Sequence, residues 1–128
     1  MGNTDTSRKM IILIVDDNAG VRRLLKRVVT EVDAAVVECS DGALALAAYK
    51  EHRPGIVLMD VRMPQMDGLT ATRQIRQHDP SAKVVIVTDY DEDELRALAS
   101  KAGAIAYVVK QDLTQLAQLI RSAGDQHG

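Results

Sequence analysis

The sequence alternates between two hydrophobic periods, and that alternation fixes most of what the chain can fold into. Short apolar or mostly apolar runs stand at residues 10–15 (MIILIV), 34–39 (AAVVEC), 55–59 (GIVLM), 82–87 (AKVVIV) and 104–109 (AIAYVV). Runs of this length without a polar face read as strands covered on both sides. Each is followed by a segment of helical character. Val21, Leu24, Leu25, Val28 and Val32 recur at helical spacing, and Ser40-Asp41-Gly42 opens an alanine-rich stretch to Tyr49. A loop with Pro64 and Asp67-Gly68 leads to a helix over 69–77, with Asp67 as a turn residue. Acids at 91–94 precede Leu95, Leu98, Ala99 and Ala102, and Gly103 stops that helix. Asp112 and Gln115 resemble a capping box before Leu113, Leu116, Ala117 and Ile120. Five strand-helix units in strict alternation imply an α/β fold, a doubly wound five-stranded parallel sheet with five helices on its two faces. With 128 residues the expectation is one domain over 9–123, a flexible leader at 1–8 and a flexible tail at 124–128.

Composition narrows the function. There is no Phe or Trp, so the core is aliphatic and an aromatic platform for nucleic acid is not expected. A net charge of -2 supplies no positive field for a phosphate backbone, so no direct nucleic-acid contact is expected. Cys39 is the one cysteine, which rules out an internal disulfide and suits a reducing cytoplasm. No apolar run is long enough to span a bilayer, and the polar opening lacks a signal-peptide core, so no membrane role is expected.

The chemistry sits at the ends of the runs. Asp16 and Asp17, Asp60, Thr88 and Lys110 stand just past the first, third, fourth and fifth strands, whereas Ser40 and Asp41 after the second are ordinary cap residues. In a parallel sheet the carboxyl ends of the strands share one edge, where ligands bind. Two carboxylates brought to about 4 Å repel by roughly 4 kcal/mol at an effective dielectric near 20, and one lysine cannot offset three. Mg²⁺ can, because it takes a few carboxylate oxygens together with water and phosphate oxygens. Asp60 would then be a nucleophile toward phosphorus, with Lys110 and the Thr88 hydroxyl holding the other phosphoryl oxygens.

The set VDDN at 15–18, MDVRMPQMDG at 59–68, VTDY at 87–90 and YVVK at 107–110 resembles the receiver domain of two-component response regulators over residues 9–123. The resemblance implies a flavodoxin-like sheet of strand order 2-1-3-4-5. It implies that Asp60 accepts a phosphoryl group from a histidine kinase or phosphotransfer protein, with Thr88 and Lys110 as its catalytic companions. Asp17, Asp60 and the backbone carbonyl of Arg62 would contact Mg²⁺, and Asp16 would help mostly through water. Thr88 and Tyr107 match the family's switch positions, and the readout would be the face of the fourth helix, fifth strand and fifth helix, used for partners or a homodimer. Arg96, Lys101 and Asp112 are candidates for charge pairs there.

Departures from the family pattern fall at three tuning positions and one turn. Asp89 stands where a small residue is usual and is expected to slow phosphorylation or dephosphorylation. Arg62 and Tyr90 carry long side chains at positions that set phosphate lifetime, and Gln111 replaces a frequent proline. Two rivals remain open. An Asp-nucleophile phosphatase of haloacid-dehalogenase type would want an acid at 62 and a lid-like insertion, and a degenerate receiver would only bind partners. Met59, Met63 and Met66 read as packing residues, Cys39 as a small buried hydrophobe, and His52, His78 and His127 as surface or helix-end residues.

Overall fold

The computed structural model describes residues 10–63 and 66–125. The leader at 1–8, Pro64 and the last three residues of the expected tail lie outside the described residues. Strands β1 (Ile11–Val15), β2 (Ala35–Cys39), β3 (Ile56–Met59), β4 (Val84–Thr88) and β5 (Ala106–Val109) form one parallel sheet in the order β2-β1-β3-β4-β5. Between and after them run α1 (Ala19–Val29), α2 (Ala45–His52), α3 (Gly68–His78), α4 (Asp93–Ala102) and α5 (Leu116–Asp125). The doubly wound, flavodoxin-like architecture implied by the sequence is the observed one.

Alternate residues of the central strands feed two cores. Leu13, Val15, Val57, Met59, Val84 and Ile86 pack with α2, α3 and α4 through Tyr49, Leu69, Ile75 and Leu95. Ile12, Ile14, Ile56, Leu58, Val85 and Val87 pack with α1 and α5 through Leu25, Val29, Leu116 and Ile120. That double coverage is why these strands carry no polar face. Met59, Met63, Met66 and Cys39 are core or core-adjacent, as their types suggest.

The helix starts follow capping chemistry. Asn18 accepts the Val21 N–H and opens α1; Asp67 accepts the Thr70 N–H and opens α3. Asp41 accepts the Ala43 N–H and opens a short 3-10 turn, Gly42–Leu44, before α2. Gly103, at φ 103, closes α4 in the left-handed conformation that glycine adopts without strain.

One expected start is corrected. Asp112 does not cap a helix that includes Leu113; its carboxylate accepts both the N–H and the hydroxyl of Thr114, which closes a tight turn and delays α5 to Leu116. α4 begins at Asp93 with Asp93 and Glu94 in its first turn, as the acidic run implies, and Asp91 just ahead of it pairs with Arg96 at 2.8 Å. The last helix includes Gly124 and Asp125, inside the span expected as tail. No helix among the described residues is long and apolar enough to cross a membrane.

Candidate functional site

The chain order reverses between β1 and β3, and their carboxyl ends form a crevice. The ladder continues one residue past each strand: the Asp60 N–H donates to the Val15 carbonyl at 2.9 Å and the Asp16 N–H to the Cys39 carbonyl at 3.0 Å. Those bonds set Asp16 and Asp60 side by side. On the far side, the Lys110 N–H donates to the Thr88 carbonyl at 2.7 Å, which brings the fifth strand's lysine to the same edge. Thr88 itself is the last residue of β4 and fully buried, rather than lying past the strand.

The side chains converge accordingly. Asp16 is 1% exposed; its Oδ1 accepts the Asn18 N–H at 2.9 Å. Its Oδ2 meets the Lys110 ammonium at 2.9 Å. Lys110, its side chain only 10% exposed, also lies 3.3 Å from Asp60 Oδ1 and 3.9 Å from Asp89 Oδ2. One oxygen from each of Asp16, Asp17 and Asp60 fits within 4.8 Å of the others. Three clustered acids against one ammonium leave surplus negative charge. A hard divalent cation with oxygen preference suits that surplus and an all-carboxylate donor set, so the residues fit Mg²⁺.

The electrostatics of Asp60 report the same crowding. Burial, then the charge of Asp16, raise its pKa to about 6, against the opposing pull of Lys110 and the Val61 N–H. Burial works against the Lys110 charge, but its contact with Asp16 and the charges of Asp60, Asp16 and Asp89 outweigh it and raise its pKa. Between pH about 4 and about 6 the metal-free folded protein therefore keeps a proton on Asp60 that the unfolded chain releases, since an unfolded Asp titrates near about 3.9. Asp60 then contributes stability as pH falls from about 6 toward the unfolded value, and its penalty is complete above pH about 6. A shift of that size corresponds to something on the order of 3 kcal/mol. Urea denaturation in EDTA at pH 7 and pH 4 checks this: wild type gains stability on acidification relative to Asp60→Asn, and parallel pH dependences would contradict it.

Around the mouth, two cation–aromatic contacts link segments distant in the chain. The Arg62 guanidinium lies 4.1 Å from the centre of the Tyr90 ring, so two of the three tuning positions touch. Thr88 Oγ1 accepts the Tyr90 N–H at 3.4 Å, and the Tyr107 hydroxyl donates to the Tyr90 carbonyl. Arg96, paired with Asp91, stacks 4.6 Å from the Tyr107 ring centre. Thr88, Tyr90 and Tyr107 thus share one short backbone segment. Of the expected charge pairs on this face, Arg96 goes to Asp91 on its own side and Asp112 to Thr114, a local rather than an interhelical use.

Two further residues shape the site: Gly68, which the sequence marks only as part of a turn, and Arg22, which it does not mark as functional. Gly68 opens α3 directly against the carbonyl of Asp60, and its N–H donates to the Val61 carbonyl at 2.7 Å. Arg22 Nη1 donates to the Asp16 carbonyl at 2.7 Å while its Nε donates to Glu38 at 2.9 Å. A signal existed for Arg22: a cation so near a helix N-terminus opposes the macrodipole and wants an explanation.

With this geometry in place, the comparisons are specific. A family model described as the response regulator receiver domain matches residues 12–121. The chain is 40% identical over 100 residues to the chemotaxis protein CheY of Bacillus subtilis, covering 77% of this chain and 83% of that one. A two-component response regulator of the LuxR family from Aurantimonas is similar in structure, with TM-score 0.84 and 37% identity, covering 89% of this chain and 84% of that one. CheY in a CheX-CheY-BeF3-Mg complex from Borrelia burgdorferi superposes with TM-score 0.85 and 29% identity, over 95% and 94% of the two chains.

Proposed function

The chain belongs to the response-regulator receiver-domain family, and from that premise we propose that it is a signalling phosphoacceptor whose reactive group is the Asp60 carboxylate. The observation that carries this reading is the Lys110 ammonium, which touches Asp16 and Asp60 together at the ends of three separate strands, β1, β3 and β5. The donor is a phosphohistidine on a histidine kinase or phosphotransfer protein. An Asp60 oxygen attacks phosphorus, the P–N bond breaks, and the nitrogen leaves with its electron pair. Later hydrolysis of the acyl phosphate by water restores the carboxylate.

Asp17, Asp60 and the Arg62 carbonyl would hold Mg²⁺, with Asp16 assisting mostly through water. The cation supplies charge neutralisation at the phosphoryl oxygens. Lys110 and the Thr88 hydroxyl take up the remaining phosphoryl oxygens. The chemistry of this chain alone is limited to self-phosphorylation from small donors and self-dephosphorylation. It acts in the cytoplasm, away from membrane and without touching nucleic acid itself.

Thr88 and Tyr107 form the switch: the hydroxyl moves toward the new phosphoryl group and Tyr107 fills the space. The Tyr90 segment they share supports the coupling. The output is the α4-β5-α5 face, where exposed Leu98 and Ile105 offer apolar area to a partner or a second copy.

The Arg62–Tyr90 stack covers the approach of the hydrolytic water. Arg62→Ala combined with Tyr90→Ala is expected to speed loss of the phosphoryl group several-fold, read as the decay of the phosphorylated species; equal or slower decay would count against it. Asp89, 59% exposed on its side chain, competes for Lys110. An exposed ion pair is worth less than about 1 kcal/mol, so Asp89→Ala changes either rate by no more than about fivefold. Unchanged rates in both directions would remove Asp89 from the tuning set.

Intact-mass spectrometry after incubation with Mg²⁺ and acetyl phosphate tests the whole reading. One phosphoryl adduct that decays is the expected result. Turnover of many phosphate esters would favour the phosphatase rival, and no adduct would favour a degenerate receiver.

A further inference from the structure

We propose that Arg22 is a positioning residue for the acidic pair: its guanidinium holds the Asp16–Asp17 peptide in the orientation that turns Asp17 toward Asp16 and Asp60. This deepens the proposed function and rests on reading the three acids as a cation site. Asp17 is exposed, and no described residue hydrogen-bonds or pairs with its carboxylate. Its place in the cluster is therefore set by its backbone. The Asp16 carbonyl and the Asp17 N–H belong to one rigid peptide plane, so fixing the carbonyl fixes the plane from which the Asp17 side chain departs.

Arg22 does that fixing with two arms of one planar group. Nη1 donates to the Asp16 carbonyl at 2.7 Å, and Nε donates to Glu38 Oε1 at 2.9 Å. Glu38 lies on β2 opposite Ile14, and its other oxygen takes Lys26 Nζ at 3.2 Å, so the anchor belongs to the sheet. The strap thus runs from a strand, through a guanidinium, to the loop that carries the acids.

An ordinary helix-to-strand ion pair would use the same Arg22–Glu38 contact. Three facts go beyond it. Arg22 lies near the start of α1, where the helix dipole disfavours a cation. Its side chain is only 18% exposed, and its second arm goes to a backbone carbonyl rather than to another acid. A lysine carries the charge but lacks the fixed fork needed for both bonds.

The test is Mg²⁺ titration of the full chain without phosphodonor, followed by amide NMR, with the thermal midpoint in EDTA as a fold control. Partners behind metal ligands commonly change affinity 10–100-fold, so Arg22→Met is expected to raise the Mg²⁺ Kd about tenfold or more. Its EDTA midpoint stays near wild type, Arg22→Lys recovers only a minor part of the loss, and Glu38→Gln, which keeps an acceptor for Nε, remains close to wild type. An unchanged Kd in Arg22→Met overturns the inference, and so does full rescue by Arg22→Lys, since charge alone would then suffice. Should Arg22→Met not fold, Glu38→Ala decides: a smaller rise in Kd supports the strap and an unchanged value overturns it. Wild-type protein that binds no Mg²⁺ would refute the cation site itself, which is a separate failure.

Discussion

Asp60→Asn is expected to take up no phosphoryl group from acetyl phosphate under conditions that label the wild-type chain, a loss of at least about a thousandfold in rate. The amide has nearly the same size and keeps an oxygen near Lys110, but its lone pairs are delocalised and it is a poor nucleophile. Asp16 retains its 2.9 Å contact with Lys110, so the site does not collapse. The same substitution also removes a carboxylate that burial and Asp16 push up to about 6, and the metal-free variant should be the more stable protein at neutral pH. Loss of labelling together with gained stability separates a missing nucleophile from a damaged fold. Persistent labelling of Asp60→Asn at the wild-type rate would move the phosphoacceptor elsewhere.

Gly68→Ala is the second large effect, and it acts through backbone. A Cβ at this position would stand 1.8 Å from the Asp60 carbonyl oxygen, 2.8 Å from its carbon and 2.9 Å from Met59 Cγ. Neither peptide can yield easily, because Gly68 is tied to the Val61 carbonyl and Asp60 to the Val15 carbonyl. Overpacking usually costs about 1–3 kcal/mol, and a backbone clash of this depth belongs at or above the upper end. For a domain of this size that lowers the midpoint by roughly 10 °C, measurable by calorimetry. Labelling of Asp60 should slow as well, since the α3 start and the nucleophile must part. Gly20→Ala is the control: its Cβ would meet only the Asn18 side-chain oxygen, at 3.1 Å, and its midpoint should hardly move. A Gly68→Ala midpoint as close to wild type as that control would contradict the packing argument.

How much of this was legible in the sequence depends on whether the cause was local. Asp16, Asp60 and Lys110 could be named because each follows an apolar run, and parallel strands bring such ends together without further information. Strand order was not available from periodicity and came from the family resemblance. The start of α5 was misread because Leu113 keeps helical spacing with Leu116 and Ile120, while the Asp112 side chain spends itself on Thr114 and closes a turn first. The Arg62–Tyr90 stack joins two loops far apart in the chain, and nothing local to either residue announces it. Gly68 was legible as a turn residue, but its closeness to Asp60 requires the docking of α3 on β3.

As proposed above, Asp17, Asp60, Thr88 and Lys110 serve one cation-dependent phosphoryl site. A crystal structure of the chain grown with Mg²⁺ and beryllofluoride tests it most directly. The expected result is a beryllofluoride on Asp60, its fluorines on Lys110 Nζ and the Thr88 hydroxyl, and Mg²⁺ held by Asp17, Asp60 and the Arg62 carbonyl. A metal bound away from Asp17, or an Asp60 left bare with Lys110 still closed on Asp16, would contradict it.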